Sequence, residues 1–125
     1  MVNAQELSLV VSVYNEGDTL GIFWEETEKC LNLLGISYEV VFVNDGSTDN
    51  SLDILANLSQ KNDKVKVVNL SRNYGHEAAM LAGIDYSRGD AVVCLDADLQ
   101  HPPLKLNEMV QKYKEGFEII TMVRD

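Results

Sequence analysis

Leu7–Val13 reads LSLVVSV, and the chain leaves it through Tyr14-Asn15-Glu16-Gly17. A run of this length, near-continuously apolar and rich in β-branched residues, suits a strand covered on both faces. The same kind of run recurs at Tyr38–Val43 (YEVVFV), Val65–Leu70 (VKVVNL), Ala91–Leu95 (AVVCL) and Glu118–Val123 (EIITMV). Between these runs the apolar spacing turns helical. Phe23, Thr27, Cys30, Leu31 and Leu34 form one stripe, with Gly35 as its stop. Thr48 or Asp49 is placed to cap a helix holding Leu52, Leu55 and Leu58. Glu77–Tyr86 is Ala-rich and apolar, and Leu106, Met109, Val110 and Tyr113 stripe a fourth helix whose first turn accommodates Pro102 and Pro103. Strand–helix alternation from end to end implies right-handed crossovers and a three-layer α/β/α, Rossmann-like domain on a mostly parallel sheet. A chain of 125 residues builds one such domain, here taken as residues 1–125.

Composition narrows the function. Apolar residues make up 46% of the chain, enough for a folded core. The formal net charge is −10, which repels phosphate backbones, so no nucleic-acid partner is expected. Most of the acidic residues read as solvated surface. Two close pairs, Asp45 with Asp49 and Asp96 with Asp98, ask for more, since converging carboxylates repel one another unless a cation joins them. The two cysteines, Cys30 and Cys94, make no disulfide framework, and Cys94 sits inside an apolar run as a small hydrophobe. With no signal peptide and no bilayer-length apolar stretch, the expectation is a soluble, cytoplasmic chain.

In sheets of this class ligands bind at the carboxyl ends of strands, near the switch in strand order. Four consecutive runs end in polar clusters: Tyr14-Asn15-Glu16-Gly17, Asn44-Asp45-Gly46-Ser47-Thr48-Asp49, Ser71-Arg72-Asn73-Tyr74-Gly75-His76, and Asp96-Ala97-Asp98-Leu99-Gln100-His101-Pro102-Pro103. Asp96 and Asp98, two apart on an extended end, approach one divalent ion from the same side, and Gln100 adds a carbonyl donor. Such hard oxygen donors suit Mg²⁺ or Mn²⁺. His101 is either a further ligand or, the favoured reading, a solvated or capping side chain. Asn44–Asp49 is built of turn formers, and that turn leaves Asp45 able to accept from a base or a ribose. Tyr14 either stacks on a base or packs, and Glu16 either accepts from a ribose hydroxyl or complements a helix N-terminus. Other nucleotide folds lack their parts here. There is no G-x-G-x-x-G after the first strand and no G-x-x-x-x-G-K-[ST]. A phospho-acceptor receiver would place paired acids after the first strand and a lysine after the fifth, and neither is present.

Three segments in one order, Val10-Val11-Ser12-Val13-Tyr14-Asn15-Glu16, Val43–Asp49 and Asp96-Ala97-Asp98, resemble the family 2 glycosyltransferases of the GT-A fold. Leu70–Ala79 and Asp96–Pro103 look like the polyprenyl-phosphate sugar synthases within it, the branch of dolichol-phosphate mannose synthase and the bacterial undecaprenyl-phosphate glycosyltransferases. The resemblance implies a nucleotide-diphospho-sugar transferase half that binds a UDP- or GDP-sugar. In it Tyr14, Glu16, Val43 and Asp45 hold base and ribose, with Ser12 and Val13 in the same binding set. Asp96 and Ala97 line the ribose and diphosphate, and Asp98 and Gln100 coordinate the Mg²⁺ or Mn²⁺. Arg72 is a candidate phosphate contact or a structural ion-pair partner. The chain departs from the family at Ser12, usually Pro, and at His76, often Lys, and His76 receives no role.

The resemblance also implies an acceptor-binding half beyond residue 125, holding the catalytic base, so this chain is expected to be a donor-binding fragment with little transfer activity of its own and a tendency to self-associate. The acceptor it implies is a lipid phosphate, met at the inner face of the membrane in cell-envelope glycan synthesis. A non-catalytic nucleotide- or metal-binding module and a receiver-like domain are the competing readings.

Overall fold

The computed structural model describes residues 6–97, apart from the Asp96 side chain, and the backbone of strand 119–121. The elements run β1 (Leu7–Val13), α1 (Leu20–Leu34), β2 (Tyr38–Asn44), α2 (Ser51–Lys61), β3 (Val65–Asn69), α3 (His76–Tyr86), β4 (Ala91–Asp96) and β5 (Ile119–Thr121). The strands form one sheet in the order β3-β2-β1-β4-β5. Every pairing in it is parallel, so the expected α/β architecture stands. The order reverses at β1, which lies between β2 and β4, and the crevice between β1 and β4 is the switch point where such sheets take ligands.

Strand alternation sorts β1 and β2 into two cores. Leu7, Leu9, Val11 and Val13 of β1 join Tyr38, Val40 and Phe42 of β2 beneath α1 and α2. Val10, Val41 and Val43 point the other way and pack with Ala79 and Met80 of α3. All seven residues of β1 are buried, which is why its sequence shows no clean alternation of polar and apolar types. Phe42 anchors the larger core, meeting Phe23 and Trp24 edge to face at centroid distances of 6.4 and 6.0 Å. On the opposite face, α3 lies close because Gly83 faces Val10 and Val43. A Cβ there would stand 2.3 Å from Val10 Cγ1.

Several boundaries differ from the sequence reading. β2 runs one residue further, to Asn44, and β3 stops one earlier, at Asn69. The α2 stripe is Ser51, Ile54, Leu55 and Leu58, and Leu52 is exposed. Ser51 is fully buried there because its hydroxyl accepts the Glu16 N–H at 3.0 Å. Helix α2 begins at Ser51 with Asn50 as N-cap, and Asp49 Oδ1 accepts the Ser51 N–H at 2.9 Å from one residue further out. Gly35 terminates α1 in the left-handed conformation, φ 67°, as its position suggested. The fourth helix read at Leu106–Tyr113 lies outside the described residues. Among the described residues, no helix is long and apolar enough to cross a membrane.

At the amino end of the sheet the α3-side layer holds a buried carboxylate. Glu39 is 1% exposed. It accepts from Lys66 Nζ at 2.7 Å, from the Ser8 hydroxyl and from the Arg88 N–H. Burial alone would raise its pKa, but the hydrogen bonds from Lys66, Ser8 and Arg88, with the Lys66 charge, outweigh it and hold the carboxyl below its ordinary value. The unfolded chain therefore takes up this proton more readily than the folded one. The stabilisation is complete above the ordinary glutamate range and is lost as pH falls through the lower folded value. Glu39→Ala should lower the unfolding free energy by about 3 kcal/mol at neutral pH, and the difference from the parent should shrink in acid. Urea denaturation at pH 7 and pH 3 measures both.

Candidate functional site

The loops at the carboxyl edge are joined by side chains that reach across the switch region. Asn15 takes a left-handed backbone, φ 52°, an uncommon state that asparagine tolerates better than most residues. Its Oδ1 accepts the N–H groups of Thr48 at 2.7 Å and Asp49 at 3.3 Å. In return, the N–H groups of Asn15, Glu16 and Gly17 donate to Ser47 Oγ, Ser51 Oγ and Asp49 Oδ2, each at 3.0 Å. Asp49 is held ionised by these bonds, first the one to Ser51, and its carboxyl lies below the ordinary aspartate value. The Asn-Asp-Gly-Ser-Thr-Asp segment is thus a turn, as composition suggested, and also a clasp on the loop before α1.

A second set of contacts fixes Asp45. Its N–H donates to Val13 O at 2.9 Å. Its carboxylate accepts the Tyr74 N–H on Oδ1 at 2.8 Å and the Gly75 N–H on Oδ2 at 3.1 Å. The side chain is therefore oriented by the loop before α3, and each oxygen keeps lone-pair capacity for a ligand donor. The two loops touch at Gly46, φ 72°, where a Cβ would stand 2.3 Å from Asn73 N and 2.4 Å from the Arg72 carbonyl carbon. Next to it, Asn44 Nδ2 donates to Asn69 Oδ1 at 2.9 Å across the ends of β2 and β3.

These contacts leave a cavity of about 360 Å³ lined by Ser12, Tyr14, Glu16, Asp45, Asn73, Gly75 and His76. Four of the residues singled out from sequence, Ser12, Tyr14, Glu16 and Asp45, thus share one wall. Tyr14 is 44% exposed, with its ring available to a planar ligand. Val13 and Val43 do not line the cavity. They are buried in the α1-side and α3-side cores respectively. Asp96 ends β4 directly opposite Ser12 in the register, and Ala97 is fully buried beside it. Asp98 and Gln100 lie outside the described residues. Arg72 stacks its guanidinium 4.8 Å from the Tyr74 ring, whose hydroxyl meets Ser71 Oγ at 3.0 Å, and among the described residues it makes no ion pair. Asn73, Gly75 and His76 join the lining although the sequence reading gave them no role. Their place in a polar cluster after a buried strand was the available signal.

Chemically the wall is rich in acceptors. Two carboxylates, a serine hydroxyl and an aromatic ring suit a ligand with hydroxyl or N–H donors and a flat face. Asp96, Asp98 and Gln100 would supply oxygen donors of the kind that hold Mg²⁺ or Mn²⁺.

Comparison with known proteins shows the family and the fold. The model of glycosyl transferase family 2 matches residues 8–125. An uncharacterised glycosyltransferase of Synechocystis is 47% identical over 119 residues, covering 95% of this chain and 37% of the relative. An undecaprenyl-phosphate 4-deoxy-4-formamido-L-arabinose transferase of Pseudomonas paraeruginosa is 41% identical over 120 residues, covering 95% of this chain and 35% of the relative. The chain thus spans little more than a third of the length of these relatives. Among solved structures, S. aureus TarS 1–349 in complex with UDP superposes with a TM-score of 0.66 at 24% identity, over 88% of this chain and 32% of that one. A Pyrobaculum calidifontis mannosyltransferase, PcManGT, in complex with GDP-Man and Mn²⁺ gives 0.62 at 22% identity, over 77% and 28%. At such identities the likeness establishes a shared fold.

The contact at Gly46 predicts a graded result. Gly46→Ala should cost about 3 kcal/mol, combining left-handed strain with a backbone clash. Gly35→Ala has the same sign of φ but nothing within 4 Å of the new Cβ, and should cost about 1 kcal/mol. Denaturant titration of both variants checks the difference.

Proposed function

Because this chain belongs to glycosyl transferase family 2, we propose that it forms the donor-binding part of a hexosyltransferase that takes its sugar from UDP or GDP and delivers it to a polyprenyl phosphate. The observation that carries this reading is the convergence of Ser12, Tyr14, Glu16 and Asp45 on one cavity at the carboxyl edge, with Asp96 placed opposite Ser12 across the switch point. Tyr14 offers a stacking face to the base. Asp45, oriented by the Tyr74 and Gly75 amides, accepts from a base N–H or a ribose hydroxyl. Glu16 accepts from the ribose. Val13 and Val43 act through the backbone and core that shape the wall, and Asp96 and Ala97 border the ribose and diphosphate.

Asp98 and Gln100 would hold Mg²⁺ or Mn²⁺. A divalent ion bound there neutralises charge that grows on the departing nucleoside diphosphate. The fold shared with a GDP-Man and Mn²⁺ complex supports the use of a divalent ion. The acceptor assignment is supported by the relatives that act on undecaprenyl phosphate. With that acceptor the work falls at the cytoplasmic face of the membrane. Residues 1–125 serve as one donor-binding domain, and the catalytic base belongs to a part of the protein outside them.

Calorimetric titration of UDP and of GDP, each with and without Mn²⁺, tests the reading. One of the two nucleotides should bind in a metal-dependent way. Asp98→Asn should weaken that binding at least about tenfold, or ~1.4 kcal/mol, with an unchanged or slightly higher melting temperature because a like-charge repulsion is relieved. Binding by Asp98→Asn as tight as the parent's in Mn²⁺ would remove Asp98 from the metal site.

A further inference from the structure

Thr19 stands between Glu16, which lines the donor cavity, and Ala97. It lies just before α1, and its hydroxyl is 3.1 Å from Ala97 O, 3.3 Å from Glu16 O and 3.4 Å from Glu16 Oε2. A threonine hydroxyl has one proton to give. Glu16 O already accepts the N–H groups of Thr19 and Leu20, both at 3.0 Å, so both its lone pairs are taken. The proton therefore goes to Ala97 O, with the Glu16 carboxylate as the competing acceptor. From the other side, the Ala97 N–H donates to Ser12 O at 3.3 Å. The fully buried Ala97 is thus fixed on both sides, by the end of β1 and by Thr19.

Ala97 is the central residue of Asp96-Ala97-Asp98, and its carbonyl carbon bonds directly to the Asp98 nitrogen. We propose that Thr19 is a positioning residue for the metal-binding segment: its hydroxyl holds the Ala97 carbonyl, and with it the peptide that leads into Asp98. Nucleotide binding through a metal on that segment then depends on the hydroxyl, and metal-free binding does not. Thr19 touches neither the nucleotide nor the metal in this scheme. The inference rests on the donor-site reading above.

The test uses Thr19→Val, which keeps the shape and removes the hydroxyl, Thr19→Ala, which removes it without a β-branch, and Thr19→Ser, which keeps it. UDP and GDP are titrated calorimetrically into each chain and the parent, with and without Mn²⁺, alongside thermal melting. The expected result is a roughly tenfold loss of affinity in Mn²⁺ for the Val and Ala variants. Their metal-free affinity should stay within about twofold of the parent's, and Thr19→Ser should match the parent in both conditions. A role in fold stability alone would lower melting temperature without separating the two affinities. The proposal is overturned if the Val and Ala variants match the parent in Mn²⁺. It is equally overturned if they lose metal-free and metal-dependent binding alike, or if Thr19→Ser is as impaired as Thr19→Val. Absence of any Mn²⁺ effect in the parent would instead overturn the donor-site reading, and this inference with it.

Discussion

Three consecutive backbone N–H groups, those of Asn15, Glu16 and Gly17, donate to the side chains of Ser47, Ser51 and Asp49 in the next βα loop and the start of α2. The cavity depends on this clasp. Without it the residues after β1 would be a short loop of polar types with no fixed direction, because loops without internal partners sample many states. With it, Asn15 is held in a left-handed turn that keeps Tyr14 and Glu16 on the cavity wall. The same device repeats one strand over, where the Tyr74 and Gly75 amides orient Asp45. In both places the orienting group belongs to the neighbouring loop, so the wall is set by how the strands are ordered as much as by local sequence.

The sheet makes that reach possible. In the order β3-β2-β1-β4-β5, β1 has β2 on one side and β4 on the other, so its carboxyl end borders the ends of both. Parallel register brings Val13 level with Asn44 and Ser12 level with Asp96. A slip of one residue would exchange the two faces of β1, sending Val10 into the α1 core and Val11 toward α3. Tight packing on both faces, with Phe42 against Phe23 and Trp24 on one and Gly83 against Val10 on the other, opposes such a slip. Burial of apolar surface therefore fixes the alignment that the polar clasp then uses.

Much of the fold was legible because double-sided burial writes near-continuous β-branched runs, as in LSLVVSV, and the helical stripes supply the period between them. The strand ends were legible too, and with them the polar clusters that supply six of the seven cavity residues, all but Ser12. Leu52 was misplaced because Leu52, Leu55 and Leu58 satisfy helical spacing as well as the real stripe does. The real stripe includes Ser51, which is buried for its hydrogen bond to Glu16 rather than for hydrophobicity. The clasp itself was not legible. Its partners lie 32 to 35 residues apart, and turn-forming residues look the same whether they serve their own loop or a neighbour's. For the same reason Val13 and Val43 could be placed next to the site by motif but not sorted into its lining or its support.

The central claim is that nucleotide binds at this carboxyl edge. Backbone amide NMR of the 125-residue chain during titration with UDP or GDP in Mg²⁺ tests it most directly, since every loop reports separately. Chemical-shift changes should concentrate at Tyr14, Glu16, Asp45, Gly75 and Ala97 and leave Glu39 and Arg88, at the opposite end of the sheet, unmoved. Changes centred on Glu39 and Arg88, or none at the five edge residues at saturating nucleotide, would contradict it.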